Sequence, residues 1–282
     1  MLTGLLLGGG FLYWLGLLRA QWLLVLTGAA TLLVAMNLLA KAGGIDPLAL
    51  PVIALAGLWA FALKQYPIRA WHIIGWTVLV LFLLALGFRV VPYFEPITLL
   101  PPLATEPYAF RPEKLVLMLL APPMVLLPWS QQSEARFEDR PLLVSGLIVL
   151  VLTVLIMGLV MAFSDTAPGF PRQAPIHLFY MLAYNLLFTC VLEEAFFRGM
   201  VQPALITAFA RRVSPKMAAV LGIGAASVLF GLAHIAGGPA FIVLATIAGV
   251  GYGLAYHWTG RLYYAVLVHF GFNAVRLLVF AG

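Results

Sequence analysis

The chain has 282 residues, of which 63% are hydrophobic and only 9% are charged. A soluble globular domain carries about 25% charged residues, so this composition excludes a water-soluble protein and predicts a polytopic membrane protein. The formal net charge of +6 does not indicate nucleic-acid binding, because the basic residues stand singly or in pairs at the ends of apolar runs. The single cysteine, Cys190, excludes an intrachain disulfide and a cysteine-based metal site.

Ten apolar segments are candidates for crossing a bilayer, which takes about 20 residues. They cover approximately residues 2–18, 22–40, 47–63, 71–88, 115–130, 141–163, 176–198, 217–236, 239–258 and 262–280. The third and fifth are the weakest, and the fifth is interrupted by prolines. The predicted fold is therefore an all-α, polytopic transmembrane helical bundle of about 8–10 spans.

A proline-rich loop between the fourth and fifth segments suggests how the chain is organised. We expect an N-terminal transmembrane module of unknown role at 1–110, a linker with a broken apolar segment at 111–140, and a motif-bearing domain at 141–282. The small size and the lack of a recognisable targeting signal suggest the cytoplasmic (inner) membrane of a prokaryote.

The first polar motif is VLEEAFFRG, which contains Glu193, Glu194 and Arg198. Glu194 and Arg198 are four residues apart, so they meet on one helix face and reduce each other's cost in an apolar segment. Glu193 points about 100° away and has no local partner, which makes it the candidate general base. A charged cluster at a helix end in the headgroup region is the alternative interpretation.

Two further motifs follow, VLFGLAHIAGG with His234 and LVHFGFNAVR with His269 and Asn273. His269 and Asn273 share a helix face and offer hydrogen-bond donors to a common point, where they could stabilise an oxyanion. Taken alone, a histidine in an apolar helix is also compatible with packing, and a His–Asn pair with an interhelical polar clasp.

The spacing of the motifs predicts that they meet. Glu193 lies 18 residues before a polar turn at 211–216, and His234 lies 18 residues after it. Each is therefore about 27 Å from the turn, and an antiparallel hairpin would bring both to a similar depth. The helix through Glu193, at 177–210, would be about 50 Å long, so it must tilt, kink at Pro203 or extend beyond the bilayer.

The ordered set EEAFFR, FGLAH and HFGFN resembles the motifs EExxxR, FxxxH and HxxxN of the CPBP family. These are the CAAX-protease and bacteriocin-processing membrane proteins, also called the ABI family. The resemblance covers roughly residues 141–282 and implies an intramembrane endopeptidase of glutamic type. It also implies the site roles: Glu193 and His234 would activate a water, His269 and Asn273 would form an oxyanion hole, and Glu194 and Arg198 would brace the site.

A zinc-dependent mechanism stays open as an alternative, with Glu193, His234 and His269 as the ligands, because two histidines and one carboxylate can hold a catalytic zinc. We favour a mechanism without a metal or any other cofactor, since no HExxH motif is present and each ligand would come from a different helix.

We therefore expect an intramembrane endopeptidase that cleaves a peptide or the terminal tail of a membrane-associated protein. Its partners would be that substrate and the lipid bilayer, and not nucleic acid. The alternative is a non-catalytic membrane immunity or scaffolding protein of the same fold. A proton-coupled transporter is less favoured, because the sequence shows no inverted repeat.

Overall fold

The computed structural model describes residues 1–18, 21–65, 69–98, 109–120 and 175–279, together with 151, 155 and 158. Most of the described backbone is helical, as expected for a chain in lipid, where a helix satisfies its own backbone hydrogen bonds. The chain divides into two compact units, Met1–Leu127 and Pro128–Gly282. The predicted domain boundaries near 110 and 140 stay a prediction, and the second lies outside the described residues.

The first unit contains α1 (Leu2–Leu18), α2 (Trp22–Lys41), α3 (Ala49–Gln65), α4 (Arg69–Gly87) and α5 (Glu113–Leu120). It also holds a small antiparallel pair, β1 (Ile97–Thr98) with β2 (Ala109–Phe110), in which Ile97 faces Phe110. Two residues in each strand are too few to alter the helical class of the fold.

The α1–α2 hairpin depends on glycines at the helix crossing. A Cβ atom on Gly16 would lie 2.5 Å from the backbone nitrogen of Val25, and one on Gly28 would run into the backbone of Tyr13. Small residues let transmembrane helices approach this closely. The Tyr13 hydroxyl donates a hydrogen bond of 3.1 Å to the carbonyl of Leu119, which ties α5 to the hairpin.

The second unit contains α6 (Pro175–Phe209), α7 (Pro215–Leu232), a 3₁₀ turn (Ile235–Gly237), α8 (Gly238–Thr259) and α9 (Leu262–Val279). The Ser214 hydroxyl caps α7 by accepting a hydrogen bond from the Met217 amide. Gly260, at φ +63°, ends α8 in the left-handed conformation that favours glycine. Because α7 ends at Leu232, His234 lies in the following turn and not inside the predicted segment 217–236.

The long helix α6 contains two π turns, Leu186–Cys190 and Phe197–Val201. Its 35 residues give a length of about 52 Å, close to the length expected from the sequence. Pro203 follows the second π turn and has no N–H, so the carbonyl of Gly199 lacks its usual donor four residues later. This missing bond favours the wider turn there, and π turns of this kind often occur at functional sites.

Four helices of the described residues are long and apolar enough to cross a membrane: Trp22–Lys41, Pro175–Phe209, Pro215–Leu232 and Ile235–Thr259. Four shorter apolar helices lie at Leu2–Leu17, Ala49–Ala60, Thr77–Gly87 and Leu262–Leu278. These helices confirm the predicted all-α transmembrane bundle and an integral membrane protein. The predicted segments at 115–130 and 141–163 lie largely outside the described residues, so the number of spans stays a prediction.

Candidate active site

Three predicted site residues from separate elements converge in the second unit. Oε2 of Glu193, on α6, lies 3.8 Å from Nε2 of His234 and 3.9 Å from Nε2 of His269 on α9. Among the described residues this buried oxygen has no hydrogen-bond partner. Both separations are too long for a direct N–H···O bond of 2.7–3.2 Å. A water next to both groups could hydrogen-bond to each of them. The meeting of Glu193 and His234 is what the hairpin spacing predicts.

The orientation of His234 is fixed by the main chain. Its Nδ1 atom lies 2.8 Å from the carbonyl oxygen of Phe230, four residues earlier. A carbonyl oxygen only accepts hydrogen bonds, so Nδ1 carries the proton and donates it. Nε2 is then the ring atom that faces Glu193, and in the neutral imidazole it is a hydrogen-bond acceptor.

His269 is oriented by a carboxylate. Its Nδ1 donates a hydrogen bond of 2.8 Å to Oε1 of Glu194, and its Nε2 faces Glu193. Glu194 therefore binds one nitrogen of the imidazole ring, and the adjacent Glu193 faces the other. His269 is buried, with a side chain only 5% exposed, whereas Glu193 and His234 are 28% and 26% exposed. The Glu193–His234 side is thus the more open side of the site.

Glu194 binds two partners in a fully buried position. Its Oε2 accepts a 3.0 Å hydrogen bond from Nε of Arg198, and both side chains are 0% exposed. This is the pairing that the four-residue spacing predicts. A buried carboxylate is tolerated when it is paired and hydrogen-bonded, and here the guanidinium supplies the opposite charge while His269 supplies a further donor.

An aromatic shell surrounds the two histidines. The Tyr252 ring stacks on His269 with a centroid distance of 4.5 Å and an interplanar angle of 11°. The Phe230 ring meets His269 edge-on at 5.7 Å and lies 4.7 Å from the His234 ring. Contact with two rings restricts rotation of the His269 imidazole. Tyr252 and His269 lie on different helices, so local helical spacing does not relate the two rings.

Asn273 lies in a second polar cluster between α9 and α6. Its amide nitrogen lies 3.3 Å from Oδ1 of Asn185 and 3.6 Å from Sγ of Cys190. Cys190 in turn donates to Asn185 over 3.2 Å. Nδ2 of Asn273 therefore donates to two acceptors on α6, and an amide nitrogen has two N–H donors. Its role in an oxyanion hole with His269 stays a prediction.

The donor set does not fit a tetrahedral zinc ion. Zinc bound at 2.0–2.2 Å places its ligand atoms about 3.4 Å apart, whereas Glu193 Oε2 is 3.8 and 3.9 Å from the two histidine nitrogens. Within the described part of the chain, no group of three His, Cys, Asp or Glu side chains is arranged to hold a metal ion. We therefore derive no step through a metal.

A buried polar residue next to the Glu194–Arg198 pair was not predicted from the sequence. Gln202 on α6 is 0% exposed, and its Nε2 donates to the carbonyl of Gly253 on α8 over 3.2 Å. Its position four residues after Arg198 is the only sequence signal that could have identified it.

Residues 175–275 match the family model described as type II CAAX prenyl endopeptidase Rce1-like. The match spans about a third of the chain and includes all three motifs, and it confirms the resemblance to the CPBP family there. At this general level, it indicates an endopeptidase that acts within the membrane. No match was found among curated proteins or among solved structures.

Proposed function

We propose that the chain is a glutamic-type intramembrane endopeptidase that cleaves a peptide or the terminal tail of a membrane-associated protein. The observation that carries this proposal is the position of Glu193 Oε2, which is free of hydrogen bonds to the described residues and faces Nε2 of both His234 and His269. The match over residues 175–275 supports the reaction class.

The first chemical step is activation of a water between Glu193 and His234. A water that bonds both groups donates one hydrogen to the carboxylate and the other to Nε2 of His234, since Nδ1 already donates to the main chain. Glu193 takes a proton as the water oxygen attacks the scissile carbonyl carbon. The C–N bond then breaks, and the same proton passes to the departing amine.

In the proposed mechanism, His269 and Asn273 stabilise the oxyanion that forms at the carbonyl. His269 donates from Nε2 in its doubly protonated form, because the Nδ1 proton is engaged by Glu194. The Glu194 carboxylate stabilises that cation directly, as the carboxylate of a catalytic triad does for its histidine. Asn273 supplies a second donor from the next turn of α9 when its Nδ2 turns from Asn185 or Cys190 to the substrate.

Burial strengthens these interactions. His269, Glu194 and Arg198 have side chains at most 5% exposed, so charge that develops at the carbonyl is poorly screened by water. The more open Glu193–His234 side is where peptide and water enter. A substrate that already lies in or on the membrane reaches such a site without leaving lipid, and we propose a prokaryotic cytoplasmic membrane as the location.

The test compares peptide termini in membranes of cells that carry the wild type, Glu193→Gln or Glu95→Gln at matched expression. Glu95 is an exposed glutamate outside the helices, so its substitution makes the same chemical change away from the site. New termini with the wild type and Glu95→Gln, and none with Glu193→Gln, are the expected result. The same termini with Glu193→Gln would refute the mechanism, and their absence from all three would favour a non-catalytic immunity or scaffolding protein.

A further inference from the structure

Two fully buried side chains of α6 have polar atoms without a hydrogen-bond partner among the described residues. They are Nη1 and Nη2 of Arg198 and Oε1 of Gln202. A buried polar atom left unsatisfied costs about 1–3 kcal/mol, and more when it is charged. Such groups are rare in folded proteins, and three on neighbouring turns of one helix require an explanation.

The π turn in α6 keeps these residues aligned. Glu194, Arg198 and Gln202 are spaced by four residues, and an α-helix advances 100° per residue, so Gln202 would drift about 80° from Glu194. The turn Phe197–Val201 closes its hydrogen bonds five residues apart, which gives a wider turn with a smaller advance per residue. The wider turn reduces the drift and brings Gln202 back toward the line of Glu194 and Arg198.

Two glycines of α8 leave room for the same polar groups. A Cβ atom on Gly249 would lie 3.3 Å from Nη2 of Arg198, and one on Gly253 would lie 2.8 Å from Oε1 of Gln202. The guanidinium and the amide oxygen therefore lie against successive turns of one face of α8. Gln202 is anchored there because its Nε2 donates to the carbonyl of Gly253.

The unsatisfied atoms are chemically complementary. A guanidinium only donates hydrogen bonds and an amide oxygen only accepts them. Nε of Arg198 is already committed to Glu194, and the Phe230 ring lies 5.3 Å from the guanidinium carbon. Oε1 of Gln202 is the free acceptor on the next turn of the same helix.

We infer that Gln202 is a positioning residue for the reaction, and that a buried water links its Oε1 to the Nη groups of Arg198, since the two side chains do not bond each other directly. The effect reaches the site in three contacts: Gln202 fixes the plane of Arg198, Arg198 fixes Glu194, and Glu194 fixes His269. This inference rests on the proposed function and extends it by one residue outside the three motifs. The π turn of α6 then contributes to catalysis by aligning Gln202 with Arg198 and Glu194.

The test measures kcat, KM and melting temperature for Gln202→Met and Gln202→Glu. The substrate is the synthetic form of a peptide that wild type cleaves in membranes and Glu193→Gln does not. Methionine has a similar shape but cannot accept the bond. Both variants lose the donor to the carbonyl of Gly253, so both should lower the melting temperature, and we expect kcat of Gln202→Met to fall about tenfold with KM near the wild type. Glutamate keeps an acceptor, so we expect kcat within about threefold of the wild type.

A packing role for Gln202 predicts the opposite order. An apolar, similarly shaped methionine would then be tolerated in a buried site, and a carboxylate would destabilise the protein. Wild-type kcat in Gln202→Met would therefore overturn the inference. Gly253→Ala is a second variant that displaces Oε1 without removing it, and we expect it to lower kcat, whereas Gly224→Ala has no atom within 4 Å of its new Cβ and should not.

The results separate this inference from the proposed function. If Glu193→Gln still cleaves, or if the wild type releases no peptide, the proposed function fails and the inference falls with it. If the wild type cleaves, Glu193→Gln does not, and both Gln202→Met and Gly253→Ala keep wild-type kcat, only the role of Gln202 is wrong.

Discussion

Oε1 of Glu194 lies 2.8 Å from Nδ1 of His269, although the two residues are 75 positions apart in the chain. This bond joins the first motif to the third and gives Glu194 a role beyond its pairing with Arg198. The carboxylate sets which nitrogen of His269 faces Glu193, as a buried carboxylate does in hydrolase triads. In the proposed mechanism, Glu193 binds the water and the neighbouring Glu194 orients His269.

Replacing Glu194 should affect both stability and activity. In Glu194→Gln the neutral amide no longer balances the charge of Arg198. Only one end of the amide is an oxygen, so the side chain can accept a hydrogen bond from Arg198 or from His269 but presents its NH₂ group to the other. Breaking a fully buried ion pair costs about 3–5 kcal/mol, so we expect a clearly lower melting temperature and at least about tenfold lower activity.

Adding Arg198→Met to Glu194→Gln removes the stranded charge. The double variant should recover part of the lost melting temperature without recovering activity, and the difference measures the coupling of the pair. Glu95→Gln is the control for the Glu→Gln change, since its side chain is exposed. Wild-type stability and activity in Glu194→Gln would show that the buried pair contributes nothing.

The two histidines should respond differently to removal. His234→Ala removes a ring that is 26% exposed and that bonds the carbonyl of Phe230, four residues earlier, so cleavage should be lost with little change in melting temperature. His269→Ala removes a buried ring that stacks on Tyr252 and bonds Glu194, so both cleavage and melting temperature should fall. Thermal unfolding in detergent followed by tryptophan fluorescence measures the difference. Equal melting temperatures for the two variants would contradict the buried, bonded position of His269 and the more exposed position of His234.

Part of this arrangement could be predicted from the sequence. The 18-residue spacing on each side of the turn placed Glu193 near His234, because a helical hairpin converts sequence distance into depth. The i,i+4 rule gave the Glu194–Arg198 pair. The helix bounds also followed closely from apolar runs, for example 22–40 predicted and Trp22–Lys41 found.

A glycine pair on α7 tests how closely α7 must approach α8. A Cβ atom on Gly231 would collide with the Thr246 side chain and lie 2.6 Å from the carbonyl of Ile242, while Gly224 has no atom within 4 Å. Overpacking costs about 1–3 kcal/mol, so Gly231→Ala should lower the melting temperature, and it should lower activity because His234 lies three residues later. Gly224→Ala, on the same helix, should leave both unchanged or raise stability by about 0.5–1 kcal/mol. Equal effects of the two substitutions would show that the close contact is absent.

The metal-free mechanism predicts that chelation has no effect. Purified protein treated with 1,10-phenanthroline in excess of any zinc should cleave at the untreated rate, because the separations around Glu193 are too wide for a tetrahedral ion. Loss of activity that added zinc restores would instead support a site formed by Glu193, His234 and His269. A parallel sample with a non-chelating isomer of the reagent controls for effects on the detergent or the lipid.

Other features could not be predicted, because they depend on tertiary contacts. A long helix at 177–210 was expected and Pro175–Phe209 is found, but its two π turns were not predicted, because local propensity does not indicate where such turns form. The bond between Glu194 and His269 joins helices that are distant in sequence, and no periodicity relates them. The contact between Asn273 and Asn185 likewise depends on helix packing, because the two residues are 88 positions apart in the chain.

The most direct test of the central claim is a single-turnover cleavage measurement with purified wild type and Glu193→Gln on the peptide that the wild type releases from membranes. Binding of the same peptide, measured in parallel, separates catalysis from recognition. We expect Glu193→Gln to bind the peptide within a few-fold of the wild type and to cleave it at least about 10²-fold more slowly. Cleavage by Glu193→Gln at the wild-type rate would show that Glu193 is not the group that activates water.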